Sequence, residues 1–248
     1  MRALILAAGV GRRLAAASHD GPKCLLEFGG ETLLARHLRT LDTLGVADIR
    51  LCTGFAADRI EAALAESIYS EHVTTTFNPD YRAGSIVSLW CLRKALRDSE
   101  NVLLMDADVL YAPAMLERLA SSERRNCLLL DRDFESGEEP VKICLAGATI
   151  VEFGKRLPPA LEYTNCGESI GFFHFTPAMA AALADRAEQY IDAGNRAAPY
   201  EDALRELILE RPSEFGVEDV TGIPWIEIDF PADIERARDE VLPRIHGC

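Results

Sequence analysis

Apolar and polar positions fall into blocks whose period changes along the chain. Ala3 to Ala8 carries no polar side chain, as expected of a strand buried on both faces. From Thr32 to Leu44 the apolar residues stand at 33, 34, 38, 41 and 44, a helical spacing that Gly45 ends. Ile49 to Cys52 predicts a second strand, closed by Thr53-Gly54-Phe55, and Asp58 to Ala65 a second helix. Val73 to Phe77 is a third strand, stopped at Asn78-Pro79. Ser85 to Leu96 is a helix and Val102 to Met105 a fourth strand. This β-α-β-α-β-α-β order with short connections predicts a parallel sheet covered by helices on both faces.

The blocks then shorten. Cys127 to Leu130, Val141 to Leu145 and Thr149 to Phe153 are brief strands separated by Glu138-Glu139-Pro140 and Ala146-Gly147. They predict a mixed or antiparallel extension of the sheet. Thr164 to Phe173 reads as a loop leading into a strand. Thr176-Pro177 opens a helix from Ala178 to Ile191, and Tyr200 begins another. Trp225, Glu227 and Asp229 share one face of a late strand; Ile226, Ile228 and Phe230 share the other. No repeat, low-complexity tract or linker interrupts the chain. Residues 1–248 are therefore expected to form one α/β domain with a Rossmann-like, mostly parallel mixed sheet, in two halves, 1–115 and 116–248.

Composition narrows the function. The net charge is −14 with no basic stripe, which argues against nucleic acid as a partner. The seven cysteines are odd in number and form no C-x-x-C. They are expected to be reduced, in a cytoplasmic protein. The N-terminal apolar run is short and is followed, not preceded, by arginines, unlike a signal peptide. No stretch approaches the roughly 20 apolar residues of a membrane helix.

Four places carry candidate chemistry. Gly9 and Gly11, after the first strand, allow positive φ and close approach of a ligand to the backbone. Exposed amides there, with Arg12, Arg13 and Lys23, suit a polyphosphate; a tight strand-to-helix turn would use the same glycines. Asp106 and Asp108 are two carboxylates, two apart, at the carboxyl end of a buried strand. That is where open α/β sheets bind ligands, and hard oxygen donors suit Mg²⁺; aspartates are also common in turns. Glu227 and Asp229 are two acids on one face of an apolar strand, which fits a cation or a wet edge. Asp233 is placed to cap the final helix. Lys142 and Lys155 can neutralise phosphate or sit on the surface. Glu168, between glycines, can bind a cationic or hydroxylated acceptor or be a loop carboxylate. Tyr200, Glu201 and Asp202 can face a second substrate, or the acids can serve the helix dipole.

The segment Leu6-Ala7-Ala8-Gly9-Val10-Gly11-Arg12-Arg13-Leu14, followed by Pro22-Lys23-Cys24-Leu25-Leu26, resembles the L-A-A-G-x-G-x-R-(L/M)…P-K-x-L signature of nucleotidyltransferases. These enzymes join an NTP to a phosphorylated small molecule and release pyrophosphate. The resemblance implies a nucleotide-diphospho-sugar transferase-like fold, with 1–115 the nucleotide-binding half and 116–248 the acceptor-binding half. It implies that Leu6, Ala7, Ala8, Gly9 and Gly11 hold the nucleotide, with Thr53, Asn78, Ser85, Ser88 and Asp106 around it; as serines at a helix N-terminus, Ser85 and Ser88 could equally be caps. Arg12 or Arg13 would grip the triphosphate and Lys23 bridge phosphates. Ile226-Glu227-Ile228-Asp229 resembles the family's late E-I-D segment, which implies Mg²⁺ on Asp108 and Asp229 with Glu227 near. Lys155, Glu168, Tyr200 and Glu201 would serve the acceptor. Asn78-Pro79-Asp80-Tyr81 through Leu89 is similar to the N-P-x-Y…N-x-x-S-L stretch of bacterial phosphocholine and phosphonate cytidylyltransferases, with Gly84-Ser85 where an asparagine pair is common. This implies CTP and an acceptor such as phosphocholine or 2-aminoethylphosphonate. Inositol or sugar phosphates, with CTP or another NTP, are the alternative. The chain is expected to be the catalytic unit alone, compatible with a homodimer. Two other classes stay open: Asp106-Ala107-Asp108-Val109 matches the D-x-D-x-(T/V) pattern of haloacid-dehalogenase-like phosphohydrolases, and the same fold could serve a non-catalytic nucleotide-binding regulator.

Overall fold

A computed structural model describes residues 1–15, 21–98, 100–135 and 137–246. Cys248, counted above among the reduced cysteines, lies outside them. The first strands are β1 (Arg2–Leu6), the hairpin β2 (Glu27–Phe28) and β3 (Glu31–Thr32), β4 (Asp48–Thr53), β5 (Val73–Phe77), β6 (Val102–Asp106) and β7 (Val109–Tyr111). The later ones are β8 (Asn126–Asp131), β9 (Lys142–Ala146), β10 (Thr149–Gly154), β11 (Asn165–Phe175), β12 (Phe215–Asp219) and β13 (Trp225–Glu227).

The main sheet runs β10-β9-β11-β6-β1-β4-β5, with β8 on the other edge of β11 and β12 beside β8. β6, β1, β4 and β5 are parallel, as the helical crossovers between them require. β11 turns the sheet antiparallel against β6, β8 and β9. The unbroken apolar runs of β1 and β6 follow from two-sided burial. Leu4 and Leu104 pack with residues of helices Ser85–Cys91, Pro177–Asp192 and Tyr200–Glu210. Their neighbours Ala3, Ile5, Leu103 and Met105 pack with residues of helices Leu33–Thr43, Ala57–Ala65 and Pro113–Ala120. Among the described residues no helix is long and apolar enough to cross a membrane.

Three elements depart from the sequence pattern. The expected helix 85–96 is two, Ser85–Cys91 and Arg93–Arg97. Leu92 leaves helical geometry (φ −87°, ψ 5°) while its side chain stays buried, so the apolar period hides the break. Arg93 stacks 3.9 Å over the Trp90 ring and donates to the Trp90 carbonyl. Asn165 to Glu168 is strand, paired with β9, where a loop was expected. A Cβ on Gly167 would lie 2.4 Å from the Asp131 carbonyl, so the glycine is needed for strand packing. The late strand ends at Glu227, and Phe230, 40% exposed, does not share the buried face of Ile226 and Ile228.

Candidate active site

β1 and β6 lie side by side with Leu6 opposite Asp106, so their carboxyl ends open into one cleft. On one side is a cavity of about 520 Å³ lined by Leu6, Ala7, Ala8, Gly9, Gly11, Arg12, Lys23, Ser85, Ser88, Asp106 and Asp108. Gly11 has φ +61°, and a Cβ there would come 3.2 Å from Lys23 Cγ. Gly9 differs: nothing lies within 4 Å of where its Cβ would be, which leaves open space over the cavity. Arg12 reaches the Arg82 carbonyl at 3.3 Å. Arg13 turns elsewhere, to Asp229 Oδ2 (2.7 Å) and Glu139 Oε2 (2.8 Å), with its guanidinium 4.8 Å over the Phe230 ring.

Thr53 and Asn78 do not line this cavity. Both are fully buried behind its wall. Asn78 Nδ2 donates to Ser88 Oγ (3.1 Å) and its Oδ1 accepts from the Asp80 N–H (2.9 Å). Ser85 Oγ accepts from the Tyr200 N–H at 2.8 Å, so it serves the start of another helix rather than its own. Tyr81, Arg82 and Ala197 also form the wall. Tyr81 stood in the N-P-x-Y motif; the others had no local signal. Gly84 has a steric reason: a Cβ would sit 2.0 Å from the Ala198 carbonyl, and its N–H donates to Arg196 O.

Antiparallel pairing of β7 with β13 brings the late acids back to β6. Asp108, Glu227 and Asp229 each offer a carboxylate oxygen within 4.8 Å of the others, a set that can hold a metal ion. Lys23 Nζ donates to Asp108 Oδ2 (2.9 Å) and Asp229 Oδ1 (2.5 Å). Burial works against the Lys23 charge, but the two carboxylates outweigh it and raise its pKa. Burial likewise opposes ionised Asp229, yet Lys23 and Arg13 hold it below the usual carboxylate range. Asp233 Oδ2 accepts from the N–H groups of Asp229 (2.9 Å) and Phe230 (2.6 Å), capping the next helix as expected. Burial, then Asp108 and Asp229, push Glu227 up to about 8. Asp106 is raised well above the usual range by burial and by Asp108, Glu201 and Glu227. It accepts the Tyr200 hydroxyl at 2.8 Å. Gly171, at φ +78°, makes room for it: a Cβ there would lie 2.3 Å from Asp106 Oδ2.

A second cavity, of about 670 Å³, opens on the far side of Asp106, Tyr200, Glu201 and Glu227, which line both. Lys155 and Glu168 lie in it, with Asp131 and Trp225. Burial, then the neighbouring Asp131, push Glu168 up to about 7. Trp225 Nε1 donates to Asp131 Oδ2 at 2.7 Å. Asp131 ends a fully apolar run, and only the β8–β11 register sets it opposite Glu168. Glu201 Oε2 is buried without a partner, and burial raises its pKa. Lys142 is structural: its ammonium donates to the carbonyls of Gly137, Pro140 and Lys155. Arg205 anchors the helix that carries Tyr200 and Glu201 by a two-bond pair with buried Glu152 (2.6 and 2.7 Å).

Residues 3–169 match the MobA-like NTP transferase domain, and the chain belongs to that family of nucleotidyltransferases. It is 23% identical to the CMP-5'-(3-aminopropyl)phosphonate synthase of Streptomyces rubellomurinus over 100% of this chain and 41% of that protein. It is 22% identical to the CTP:phosphoglutamine cytidylyltransferase of Campylobacter jejuni over 95% of this chain and 98% of that one. The chain thus spans under half of one curated relative and nearly all of the other. The fold is similar to that of the inositol-1-phosphate CTP transferase from T. maritima (TM-score 0.73, 22% identity, 99% of this chain and 94% of that chain). The phosphohydrolase alternative finds no support. The family match runs through Asp106, which is hydrogen-bonded to the Tyr200 hydroxyl rather than free as a nucleophile.

Proposed function

We propose that the protein transfers CMP from CTP to a small phosphate or phosphonate that also carries an amine, with release of pyrophosphate. The observation that supports this reading is the shared wall of the two cavities. Cations, Arg12 and Lys23, line the first, whereas Asp131 and Glu168 line the second, beside Trp225. An anionic acceptor needs a cationic end to enter so acidic a cavity.

The acceptor oxygen is already anionic, so no base and no covalent intermediate are required. It attacks the α-phosphorus in line and pyrophosphate departs. The work of the side chains is positioning and charge neutralisation. The glycine loop holds the nucleotide, Arg12 meets the triphosphate, and Lys23 stabilises the departing pyrophosphate. Lys155 neutralises the acceptor's phosphorus-bearing end. Mg²⁺, which would be held by Asp108, Asp229 and Glu227, supplies further neutralisation of phosphate charge when bound. A cytoplasmic site of action fits the free thiols of the six described cysteines.

Pyrophosphate release, with Mg²⁺, is measured for five NTPs, each crossed with 2-aminoethylphosphonate, phosphocholine, inositol 1-phosphate and a hexose 1-phosphate. Release with CTP and an amine-bearing acceptor is expected. Release only with an amine-free acceptor would discard the amine subsite and keep the enzyme class. Asp108→Ala should fold and lose most turnover.

A further inference from the structure

We infer that the acceptor's amine is a primary ammonium, which donates its N–H groups to Glu168, and that the second cavity selects it over a quaternary ammonium. The inference rests on the amine-bearing acceptor proposed above and narrows it.

Glu168 stands opposite Lys142 in the β9–β11 ladder, where the lysine would be its natural counter-ion. Lys142 is committed elsewhere. An ammonium has three N–H groups, and those of Lys142 go to the carbonyls of Gly137 (2.7 Å), Pro140 (3.3 Å) and Lys155 (2.9 Å). Lys155 Nζ in turn pairs with Glu139 at 3.4 Å. Both lysines favour the Glu168 charge only from a distance, and burial and the neighbouring Asp131 outweigh them. Among the described residues none donates a hydrogen bond to the Glu168 carboxylate. Glu201, which also lines this cavity, has Oε2 buried without a partner. Asp131 accepts one donor on each oxygen, from the Asp133 N–H (2.9 Å) and from Trp225 Nε1 (2.7 Å), and keeps a free lone pair on each. The cavity holds carboxylates short of donors, and the acceptor has to bring them.

A quaternary ammonium carries the same charge but no N–H. Proteins hold such a group over the faces of aromatic rings arranged as a cage. The rings beside this cavity are largely committed. Phe173 is fully buried and stacked on Phe175. Tyr200, 3% exposed, meets Phe173 edge-on and donates its hydroxyl to Asp106. The Arg13 guanidinium lies over the Phe230 ring. That leaves Phe134 and Trp225, two rings where a cage needs walls on several sides. A trimethylammonium facing Glu168 would strip water from the carboxylate and return no hydrogen bond. A hydrogen bond to a charged group corresponds to about a ten- to hundredfold in affinity.

The test is kcat/KM of the full chain with CTP and Mg²⁺ for 2-aminoethylphosphonate and its N-methyl, N,N-dimethyl and N,N,N-trimethyl forms. Phosphonate, chain length and charge stay fixed while the N–H count falls from three to none. The assay runs at pH 8, above the Glu168 value of about 7 and below the roughly 10 of an alkylammonium. In wild type the primary amine should exceed the trimethyl form by about ten- to hundredfold, with the intermediates in order. Glu168→Met keeps the size of the side chain and removes the acceptor, so the ratio should fall toward one. A preference set by the bulk of the methyl groups would survive in that variant; the ratio is the readout that a merely structural role leaves unmoved. Melting temperatures check folding, and Glu168→Gln, which keeps one acceptor oxygen without the charge, should give an intermediate ratio if Glu168→Met does not fold. Equal or better turnover of the trimethyl form in wild type refutes this inference and keeps the amine reading. A wild-type preference that is unchanged in the folded variant refutes the role of Glu168. Turnover with none of the four refutes the amine reading, and the inference with it.

Discussion

Lys23 is the cation that holds Asp108 and Asp229 together, and its removal is the sharpest test of the site. Its side chain is 15% exposed, against 22% and 25% for the two carboxylates. Lys23→Met keeps the stem and deletes the charge. Removing one partner of a buried ion pair costs about 3–5 kcal/mol, because the other charge is left buried. The partial exposure of both aspartates selects the low end, about 3 kcal/mol. In a chain of this size about 1 kcal/mol moves the melting temperature by about 2–4 °C. The metal-free variant should therefore melt about 6–12 °C below wild type. Mg²⁺ should reverse the order of response. In wild type a divalent ion must compete with the ammonium for the same oxygens; in the variant it meets carboxylates with no competing ammonium. The variant's melting temperature should rise more steeply with Mg²⁺ than wild type's, by linkage to tighter binding, while turnover stays low for want of the lysine. Scanning fluorimetry over a Mg²⁺ series reads both effects. Equal Mg²⁺ responses in the two proteins would refute competition between Lys23 and the metal.

Three further outcomes are expected. Gly171→Ala forces a Cβ to 2.3 Å from Asp106 Oδ2 at φ +78°; a lower melting temperature and reduced turnover should follow, and wild-type values of both would overturn the reading. Arg205→Ala leaves the Glu152 carboxylate, 3% exposed, without its partner; thermal or urea unfolding should show a loss of about 3 kcal/mol, much of it recovered by adding Glu152→Gln. Glu168 titrates near 7, above its unfolded value, so the folded state holds the extra proton and stability falls as pH rises through the window between them. A bound ammonium favours the ionised form, so the Michaelis constant for an aminophosphonate acceptor should fall as pH rises through about 7, and Glu168→Gln should flatten that trend; an unchanged trend would remove Glu168 from the acceptor site.

Local chemistry determined more of this protein than its size suggests. The strands of the parallel core were legible because two-sided burial writes an unbroken apolar run, as in Ala3 to Ala8. The helices that cover them were legible because one-sided burial writes a 3.6 period. The P-K after the glycine loop, the strand-end pair Asp106 and Asp108, and the E-I-D segment marked chemistry because charge is unexpected beside such runs. Beyond the meeting of Asp108, Glu227 and Asp229 that the resemblance implied, sequence could not say which charged groups meet. Arg12 and Arg13 are adjacent, yet one lines the cavity beside the glycine loop and the other pairs with Asp229 and Glu139. Asn78 stands in the motif but is fully buried and donates to Ser88 instead of lining the cavity. Asp131 and Glu168 are distant in the chain and become neighbours only through the β8–β11 register. The difference is physical. Burial and period are properties of a segment, set by which faces of one element leave water. Convergence of charges depends on crossovers and register between elements, and these are fixed only when the whole core packs.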